Sequence, residues 1–371
     1  MIDFRWTELS LGLALLFNVA FVLYVIVYYK RCVSQPIWQR EKPGFGLILF
    51  SLLLIIFVSN SSVGDWYHYQ DMVWNYDLSP GAVNHGEPIY GYIIGFINKN
   101  YMLFRIIVWG GAFLMTYWIF KRFEVNVTVA VYFIVSVFLI KYNYSRTTLS
   151  MASFFLGLSY MIKPVKRKKM RNVIFALLFF WGSYEFHHSA LPLLLLSLVA
   201  FLPINKPIVM ILLLLSLPSV AAIILDKFDM VEALGNAYIA GRLSGYVAQE
   251  AESSNLYGRI QNIISYGSFV LPLFITSVAI FKKESEINVS IIRLYRVMMS
   301  IVVFAVSFLF MGLSSFVFVY RYLYMTLIPI TVISVYLYQN KLISKTQFSA
   351  LVLWGIVANV QSLLLGVYKA L

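Results

Sequence analysis

Long apolar runs separated by short polar turns extend along the whole chain. Each run is close to the roughly 20 residues that a helix needs to cross the hydrocarbon layer of a bilayer. The pattern predicts about twelve spanning helices, so that residues 1–371 form a single transmembrane domain of the all-α class. The predicted spans lie near 9–29, 44–60, 101–120, 125–140, 146–162, 172–186, 189–203, 207–225, 260–281, 297–313, 318–338 and 346–368.

The amino-acid composition supports a membrane protein and excludes several other kinds of protein and site. Hydrophobic residues make up 61% of the chain and charged residues only 12%, a balance that no water-soluble domain needs. The single cysteine, Cys32, excludes an intramolecular disulfide and a cysteine-based metal cluster. Lys30 and Arg31 follow the first apolar run, which has neither a basic leader nor a small-residue cleavage site, so a retained first helix is predicted.

The basic residues are concentrated in alternate turns. Of the 29 Lys and Arg residues, 19 lie in six turns that contain only 4 of the 16 Asp and Glu residues: 30–42, 121–124, 163–171, 204–206, 282–296 and 339–345. By the positive-inside rule these turns are cytoplasmic, and both chain ends face outward. The net charge of +13 therefore indicates orientation and contact with anionic membrane lipid, and it does not indicate a nucleic-acid partner.

Two outer segments, 61–100 and 226–258, are too long to be simple turns, and loops of this length are usually functional. The first is an aromatic-rich periplasmic loop in which Glu87 precedes a proline, a combination that predicts a short helix. The second periplasmic loop has mixed charge, with Arg242 inside it and Arg259 at its end. It is either a solvated loop or a substrate-binding lid.

Two arginines, Arg146 and Arg321, stand at outer helix boundaries. A guanidinium stays charged there and offers a planar fork of donors that suits phosphate oxygens. Charges at the edge of the hydrocarbon are candidate functional sites, although each arginine can also simply reach lipid headgroups. Tyr322 follows Arg321 directly and supplies a hydroxyl that can bind in the same neighbourhood.

The histidine pair His187 and His188 follows an apolar run at another outer boundary. Histidine is the usual proton acceptor near neutral pH, so the pair offers a base for a hydroxyl nucleophile or a substrate-binding group. An interfacial hydrogen-bonding pair is the alternative. Successive helical side chains point about 100° apart, and no HExxH-type spacing occurs, so no metal site is predicted.

The segment 63–74, VGDWYHYQDMVW, combines carboxylates with aromatic rings. Carboxylates bind sugar hydroxyls, and aromatic faces cover the C–H surface of a sugar ring. The candidate sugar-binding residues are Asp65, Trp66, Tyr69 and, further along, Glu87. The alternatives are an aromatic interfacial loop with capping acids, or a carboxylate pair for glycoside hydrolysis.

Together these stretches resemble the EpsG/Wzy-type polysaccharide polymerases of bacterial membranes. Five segments carry the resemblance. VGDWYHY (63–69) is similar to the family's Gly-x-Asp-Tyr-x-x-Tyr pattern, and EPIYGYI (87–93) is similar to its Glu-Pro-x-Tyr segment. SRTTLSMASFFLGLSYMIK (145–163) resembles an arginine-bearing span, FHHSAL (186–191) resembles His-x-Ser-Ala-Leu, and YRYLYM (320–325) resembles a late helix start with an arginine and aromatic residues. The match at 186–191 favours His187 over His188. The family often has an arginine before the first segment, where this chain reads VSNSS, and Asp65 follows Gly64 directly.

The resemblance implies a GT-C-like integral membrane glycosyltransferase of the bacterial inner membrane, acting as an O-antigen polymerase in lipopolysaccharide biosynthesis. A chain on undecaprenyl pyrophosphate would be transferred, on the periplasmic side, to an incoming lipid-linked repeat unit. Arg146 and Arg321 would hold the departing pyrophosphate, and His187 or Asp65 would act on the acceptor hydroxyl. The resemblance implies no metal or other cofactor, and a chain-length regulator protein is an expected partner.

Three other functions stay open. A flippase for lipid-linked oligosaccharides also has many spans and a cationic cavity, but it is expected to carry charges at mid-membrane depth and internal repeats. An O-antigen ligase uses the same donor and is expected to have a much larger late outer loop than 226–258. An acyltransferase is expected to lack paired outer arginines.

Overall fold

The computed structural model describes residues 9–34, 45–58, 72–75, 88–139, 145–163, 169–202, 256–310 and 322–370. All regular secondary structure within these ranges is helical. The helices are α1 (Leu9–Tyr29), α2 (Phe45–Val58), α3 (Pro88–Phe96), α4 (Tyr101–Arg122), α5 (Val127–Phe138), α6 (Ser145–Ile162), α7 (Lys169–Phe186), α8 (Leu191–Ser197), α9 (Leu256–Lys282), α10 (Val289–Phe310), α11 (Leu327–Gln339) and α12 (Lys345–Ala370).

These helices give the chain the all-α, membrane-type class that the sequence predicts. Each predicted span except 207–225, which lies outside the described residues, coincides with a helix. Within the described ranges, three helices are long and apolar enough to cross a membrane: Tyr101–Arg122, Val289–Val306 and Tyr322–Gln339. Shorter apolar helices accompany them, so the total number of crossings stays a prediction.

The helices α5 and α11 form the centre of the bundle. Every residue of α5 from Thr128 to Phe138 is buried, and α11 is buried continuously from Leu327 to Val335. Both helices are mostly apolar all round, which suits a helix enclosed by others. On one side α5 packs so closely against α12 that a Cβ added at Gly355 would overlap the backbone and side chain of Val137. Small residues at such crossings let membrane helices approach.

The predicted helix after Glu87 is confirmed, because α3 begins at Pro88. Proline suits the first position of a helix, where its missing N–H leaves no bond unmade. The tight turn after α3 passes through Asn98 and Lys99, both with positive φ, and Asn100 caps α4 by accepting a hydrogen bond from the backbone N–H of Leu103 at 3.1 Å. These local features set where α4 starts relative to α3.

The basic turns meet at one end of the bundle, which we call the Lys163 end. The Lys163 ammonium lies 2.6 Å from a carboxylate oxygen of Glu124, and the Gln339 side chain donates to the Glu124 carbonyl at 3.2 Å. The Tyr338 hydroxyl donates to the carbonyl of Val33 at 2.6 Å. The described parts of the turns 30–42, 121–124, 163–171 and 339–345 therefore share one end of the fold.

One predicted boundary is wrong. The span predicted to begin at 297 begins at Val289, so Arg293 and Arg296 belong to α10 and not to a turn. Arg293 donates to the carbonyl of Ile162 at 3.5 Å, and Arg296 donates to the carbonyl of Leu202 at 2.9 Å. Long arginine side chains carry their charge to the ends of neighbouring helices, so a helix can begin before its basic residues.

Candidate functional site

The helices α6 and α7 form an antiparallel pair that is held by small polar residues. The Ser150 hydroxyl donates to the carbonyl of Ser183 at 2.8 Å, and the Ser183 hydroxyl donates to the carbonyl of Ser150 at 2.9 Å. Towards the Lys163 end, the Ser153 hydroxyl donates to the carbonyl of Phe179 at 2.7 Å. A step of three residues forward along α6 is thus matched by a step of four residues back along α7, and these bonds fix their register.

This register brings two of the predicted site residues to one level. One helical turn before Ser150 on α6 is Arg146, and one turn beyond Ser183 on α7 is His187. The backbone of Arg146 therefore lies across the helix pair from His187, at the end of the bundle opposite Lys163. We call this the His187 end. The side chain of Arg146 lies outside the described residues.

The two adjacent histidines have different surroundings. His187 has an extended backbone (φ −165°, ψ 115°) where α7 ends, and only 9% of its surface is exposed. His188 begins a short 3₁₀ turn and is exposed, with its ring stacked on Tyr184 at 4.6 Å between centroids. His187 is therefore enclosed by the fold, whereas His188 is exposed.

An aromatic cluster adjoins His187 from the side of α3 and α4. The Tyr90 hydroxyl donates to the carbonyl of Phe186, the residue before His187, at 3.1 Å. Ring contacts then connect Tyr90 to Phe104 at 6.2 Å, Phe104 to Tyr101 at 6.3 Å, and Tyr101 to Trp74 at 6.5 Å. We use "aromatic cluster" for Trp74, Tyr90, Tyr101 and Phe104. It joins the long segment 61–100 to the histidine helix end.

Arg105 is a residue of this region that the sequence analysis missed. It lies in the first turns of α4, is only 3% exposed, donates to the carbonyl of Ile56, and sits over the Tyr101 ring at 5.9 Å from its centroid. A π-helical turn, Ile106–Gly110, follows it directly. The available signal was an arginine within the apolar run 101–120, since charged residues inside membrane segments are candidate functional residues.

Comparison with known proteins identifies the family. The family model that matches, described as the EpsG family, covers residues 44–364, which is most of the chain. The chain belongs to the EpsG family. Membership supports a polysaccharide-polymerase-like role in a membrane. Neither a curated protein nor a solved structure matches the chain.

The match to the EpsG family includes every stretch in which the sequence resemblance was found. The structure describes the candidate residue Tyr322 as buried, 6% exposed, with its ring edge against Phe304 at 4.8 Å between centroids. It lies beside the start of α11, which also packs against α6. A contact between Tyr322 and substrate stays a prediction.

Several other candidate residues cannot be compared with the structure. The residues Asp65, Trp66, Tyr69, Glu87, Arg242 and Arg321 lie outside the described residues. Arg259 lies in the first turn of α9, but its side chain is not among those described. For this member of the EpsG family, the register of α6 and α7 therefore brings the backbone of Arg146 to the level of His187. The aromatic cluster connects Arg105 to the backbone that precedes His187.

Proposed function

We propose that this chain joins undecaprenyl-pyrophosphate-linked oligosaccharide repeat units into a surface polysaccharide at the periplasmic face of the bacterial inner membrane. Membership of the EpsG family supports the general role. The observation that carries the finer proposal is the register of α6 and α7, in which Arg146 and His187 reach the same level of the bundle. A polymerase of this kind needs a cation and a proton acceptor close together.

The chemistry requires positioning more than strong acid catalysis. The oxygen of the acceptor hydroxyl bonds to the anomeric carbon of the donor sugar, and the bond from that carbon to the phosphate oxygen breaks. The lipid pyrophosphate leaves with the bonding electron pair, so it needs no added proton but is stabilised by cations. The hydroxyl proton passes to the base. Holding both lipid-linked substrates in one orientation supplies much of the rate.

In this proposal Arg146 and Arg321 bind the pyrophosphate and His187 accepts the hydroxyl proton. Asp65 is the other candidate for the acceptor hydroxyl, and Glu87 binds sugar. The proposed mechanism routes no step through a metal.

The exposure of the described aromatic residues indicates which rings are available to stack on a sugar. Trp74 is 52% exposed and Tyr92 is 78% exposed, so each presents a ring face to its surroundings. Tyr90 is 1% exposed and bonds to the carbonyl of Phe186, which suits a supporting role. Exposed aromatic rings at the His187 end are therefore the described candidates for sugar stacking, beside the predicted Trp66 and Tyr69.

A deletion strain tests the function against its nearest rivals. Cells that lack a polymerase still display a single repeat unit on their surface, cells that lack a flippase display none, and cells that lack a ligase keep polymer on the lipid carrier. Gel analysis of surface glycan and of carrier-linked glycan separates these outcomes. We expect the one-unit band, with long chains restored by the wild-type gene. Absence of the band together with accumulated unflipped units would show a transporter instead.

Substitution of the arginines tests the site assignment in the same strain. Arg146→Ala and Arg321→Ala should each leave the one-unit band and remove long chains, because the departing pyrophosphate loses a cation. Lys163→Ala is the matched control, since Lys163 is a cation at the opposite end of α6. Both arginine variants must be present in the membrane at wild-type amounts. Intact long chains in both would refute the assigned roles.

A further inference from the structure

A polar cavity lies at the Lys163 end of the bundle. Its volume is about 240 Å³, and it is lined by charged, carboxamide and hydroxyl side chains, among them those of Glu124, Lys163, Asn288, Ser290 and Gln339. Pockets between helices that take drug-sized ligands have volumes of roughly 300–1,000 Å³, so this cavity suits a smaller polar group. The chemistry proposed at the His187 end uses none of these side chains.

The cavity lies at the boundary of the membrane. The three helices of the described ranges that are long and apolar enough to cross a membrane all begin or end at it. Tyr101–Arg122 ends just before Glu124, Val289–Val306 begins beside Asn288, and Tyr322–Gln339 ends with a residue of the cavity wall. Spanning helices end where the hydrocarbon layer meets the lipid headgroups, so the cavity lies at headgroup level.

Hydrogen bonds within the protein hold the cavity walls in place. The Lys163 carbonyl accepts from Arg122 at 2.9 Å, and the Lys163 ammonium lies 2.6 Å from a carboxylate oxygen of Glu124. On another wall, the backbone N–H of Asn288 donates to the Tyr336 hydroxyl at 3.1 Å. A ligand would therefore meet a site that is already formed, which lowers the entropic cost of binding.

The cavity presents one positive and one negative group side by side. The side chain of Glu124 is 77% exposed and that of Lys163 is 28% exposed, so a ligand can reach both. Their contact leaves the ammonium with further donors and the carboxylate with further acceptor positions. The Asn288 side-chain oxygen accepts from the Ser290 N–H at 2.9 Å, and this bond leaves the Asn288 NH₂ group to donate. These groups suit a small ligand that has both an anion and a cation.

A zwitterionic phospholipid headgroup has both charges and occurs at this depth. Its phosphate matches the donors of Lys163 and Asn288, and a primary ammonium matches the acceptor Glu124. A headgroup that has only the phosphate charge would be repelled by Glu124, and a choline headgroup has no N–H to donate. Val289, beside Asn288, is apolar and 60% exposed, so it offers acyl chains a surface next to the cavity.

We propose that this cavity binds the headgroup of a phospholipid that has a phosphate and a primary ammonium, as phosphatidylethanolamine does, from the leaflet at the Lys163 end. The phosphate binds Lys163 and Asn288, and the ammonium binds Glu124. Binding joins the ends of three helices and stabilises the bundle. The inference goes beyond the proposed function and does not depend on it. Lys163→Ala should therefore still form long chains per protein present.

Lipid binding to the delipidated full-length protein in detergent gives the first test. The probes are phosphatidylethanolamine, phosphatidylglycerol and phosphatidylcholine with identical acyl chains, and native mass spectrometry gives Kd for each. The wild type should bind phosphatidylethanolamine most tightly. Lys163→Ala should weaken that binding about tenfold or more, because charge-assisted hydrogen bonds to phosphate are lost. An unchanged Kd in Lys163→Ala would overturn the proposal.

Lys121→Ala is the matched control for this variant. Lys121 is an exposed lysine at the same end, and it lies over the Tyr117 ring, outside the cavity wall. Its substitution should leave Kd within about twofold of the wild type, the usual range for a surface change. A loss as large as that in Lys163→Ala would show that general surface charge attracts the lipid, and it would overturn a specific site.

The second test measures selectivity between headgroups. Glu124→Gln keeps the shape of the side chain but removes the charge that pairs with the ligand ammonium and repels a purely anionic headgroup. The preference for phosphatidylethanolamine over phosphatidylglycerol should therefore fall to about one or reverse. Glu284→Gln, an exposed carboxylate at the same end, is the control and should keep the wild-type preference. An unchanged preference in Glu124→Gln would overturn the proposal.

Asn288→Asp separates binding from folding. Aspartate caps a helix as well as asparagine does, so the variant should fold like the wild type. Its added carboxylate repels the phosphate and should weaken phosphatidylethanolamine binding about three- to tenfold. Wild-type affinity in this variant would overturn the proposal.

Thermal unfolding and a soluble probe complete the test. Saturating phosphatidylethanolamine should raise the unfolding midpoint of the wild type by about 2 °C or more, and the rise should disappear in Lys163→Ala. A rise that persists in that variant would contradict the site. Free ethanolamine phosphate, the same headgroup without acyl chains, should bind at least about tenfold more weakly than the lipid. Equal binding of the two would show a soluble ligand and overturn the lipid assignment.

Discussion

The two ends of α4 carry one arginine each, and the two arginines differ in their surroundings. Arg122, at the Lys163 end, donates to the Ser159 hydroxyl at 2.7 Å and to the carbonyls of Ser159 and Lys163, and it lies 3.7 Å from the centre of the Tyr160 ring. It is half-buried. Arg105, at the His187 end, is almost fully enclosed, donates to the carbonyl of Ile56 near the end of α2, and lies over the Tyr101 ring of the aromatic cluster.

The two ends of the bundle, the Lys163 end and the His187 end, also differ in the surroundings of their polar side chains. At the Lys163 end, polar side chains close the ends of neighbouring helices, as Arg293 and Arg296 do for α6 and the α8 region. At the His187 end, His187 and Arg105 are both buried, and the aromatic cluster lies along the path between them. We propose that polar groups at one end stabilise the bundle and that those at the other end serve chemistry. The predictions below test this division.

The largest expected effect is at the histidine pair. His187→Gln removes the proposed proton acceptor but keeps a hydrogen-bonding side chain, and it should lower polymer formation about 100-fold or more. His188→Gln changes an exposed ring stacked on Tyr184, and its effect should be at most a few-fold. Polymer formed per folded molecule in nanodiscs measures both. Equal loss in the two variants would show that the burial of His187 has no functional meaning.

The next effect is on stability, at the opposite end. Arg122→Ala removes charged hydrogen bonds to helix ends and should lower the free energy of unfolding by about 2–3 kcal/mol. Arg171→Ala is the control, because Arg171 is exposed and only approaches the Phe175 ring at 6.0 Å. Its cost should be about 0.5 kcal/mol or less. Thermal unfolding in detergent, followed with an activity assay, compares them. A loss of kcat in folded Arg122→Ala protein would contradict the division between the two ends.

The sequence predicted the helices well because apolar runs alone largely decide where helices cross a membrane. It did not predict the start of α10, because Arg293 and Arg296 become acceptable within a helix only when the carbonyls of Ile162 and Leu202 lie nearby. Such contacts join residues far apart in the chain, so a local sequence pattern cannot predict them.

The sequence also predicted part of the candidate site. The family segments led to Arg146 and His187, and the register of α6 and α7 brings their backbones to one level. The difference in burial between His187 and His188 depends on the extended backbone at the end of α7, which the sequence of two adjacent histidines does not reveal. Arg105 was missed although an arginine within an apolar run was a signal, and its contact with the carbonyl of Ile56 joins residues distant in sequence.

A smaller effect is expected at Gly157, where α6 and α7 approach closely. A Cβ added at Gly157 would lie 3.0 Å from the carbonyl oxygen of Ala176 and 3.0 Å from a ring carbon of Phe180. Gly157→Ala should therefore cost about 1–3 kcal/mol, the usual cost of overpacking. Gly95→Ala, where no atom lies within 4 Å, is the control and should be neutral or stabilising. Unfolding midpoints give the comparison, and equal midpoints would refute the tight crossing that holds the register.

The smallest effect is expected at the ion pair of Lys163 with Glu124. The carboxylate partner is 77% exposed, so water and salt screen the interaction. Glu124→Gln should lower stability by about 0.2–1 kcal/mol, and added salt should reduce the difference from the wild type. Unfolding midpoints at low and high salt test this. A larger cost that persists in high salt would show that the Lys163 end depends on this pair more than on its arginine contacts.

The most direct test of the account asks whether the three proposed catalytic residues share one cavity. In a Cys32→Ala background, which removes the single cysteine, paired cysteines replace residues 146 and 187, 146 and 321, or 146 and 163. A short bifunctional thiol reagent is then applied in native membranes. The account predicts cross-links for the first two pairs and none for the third, whose members lie at opposite ends of α6. Failure of the 146–321 pair to cross-link, with the 146–187 pair linked, would contradict a shared site for the two arginines.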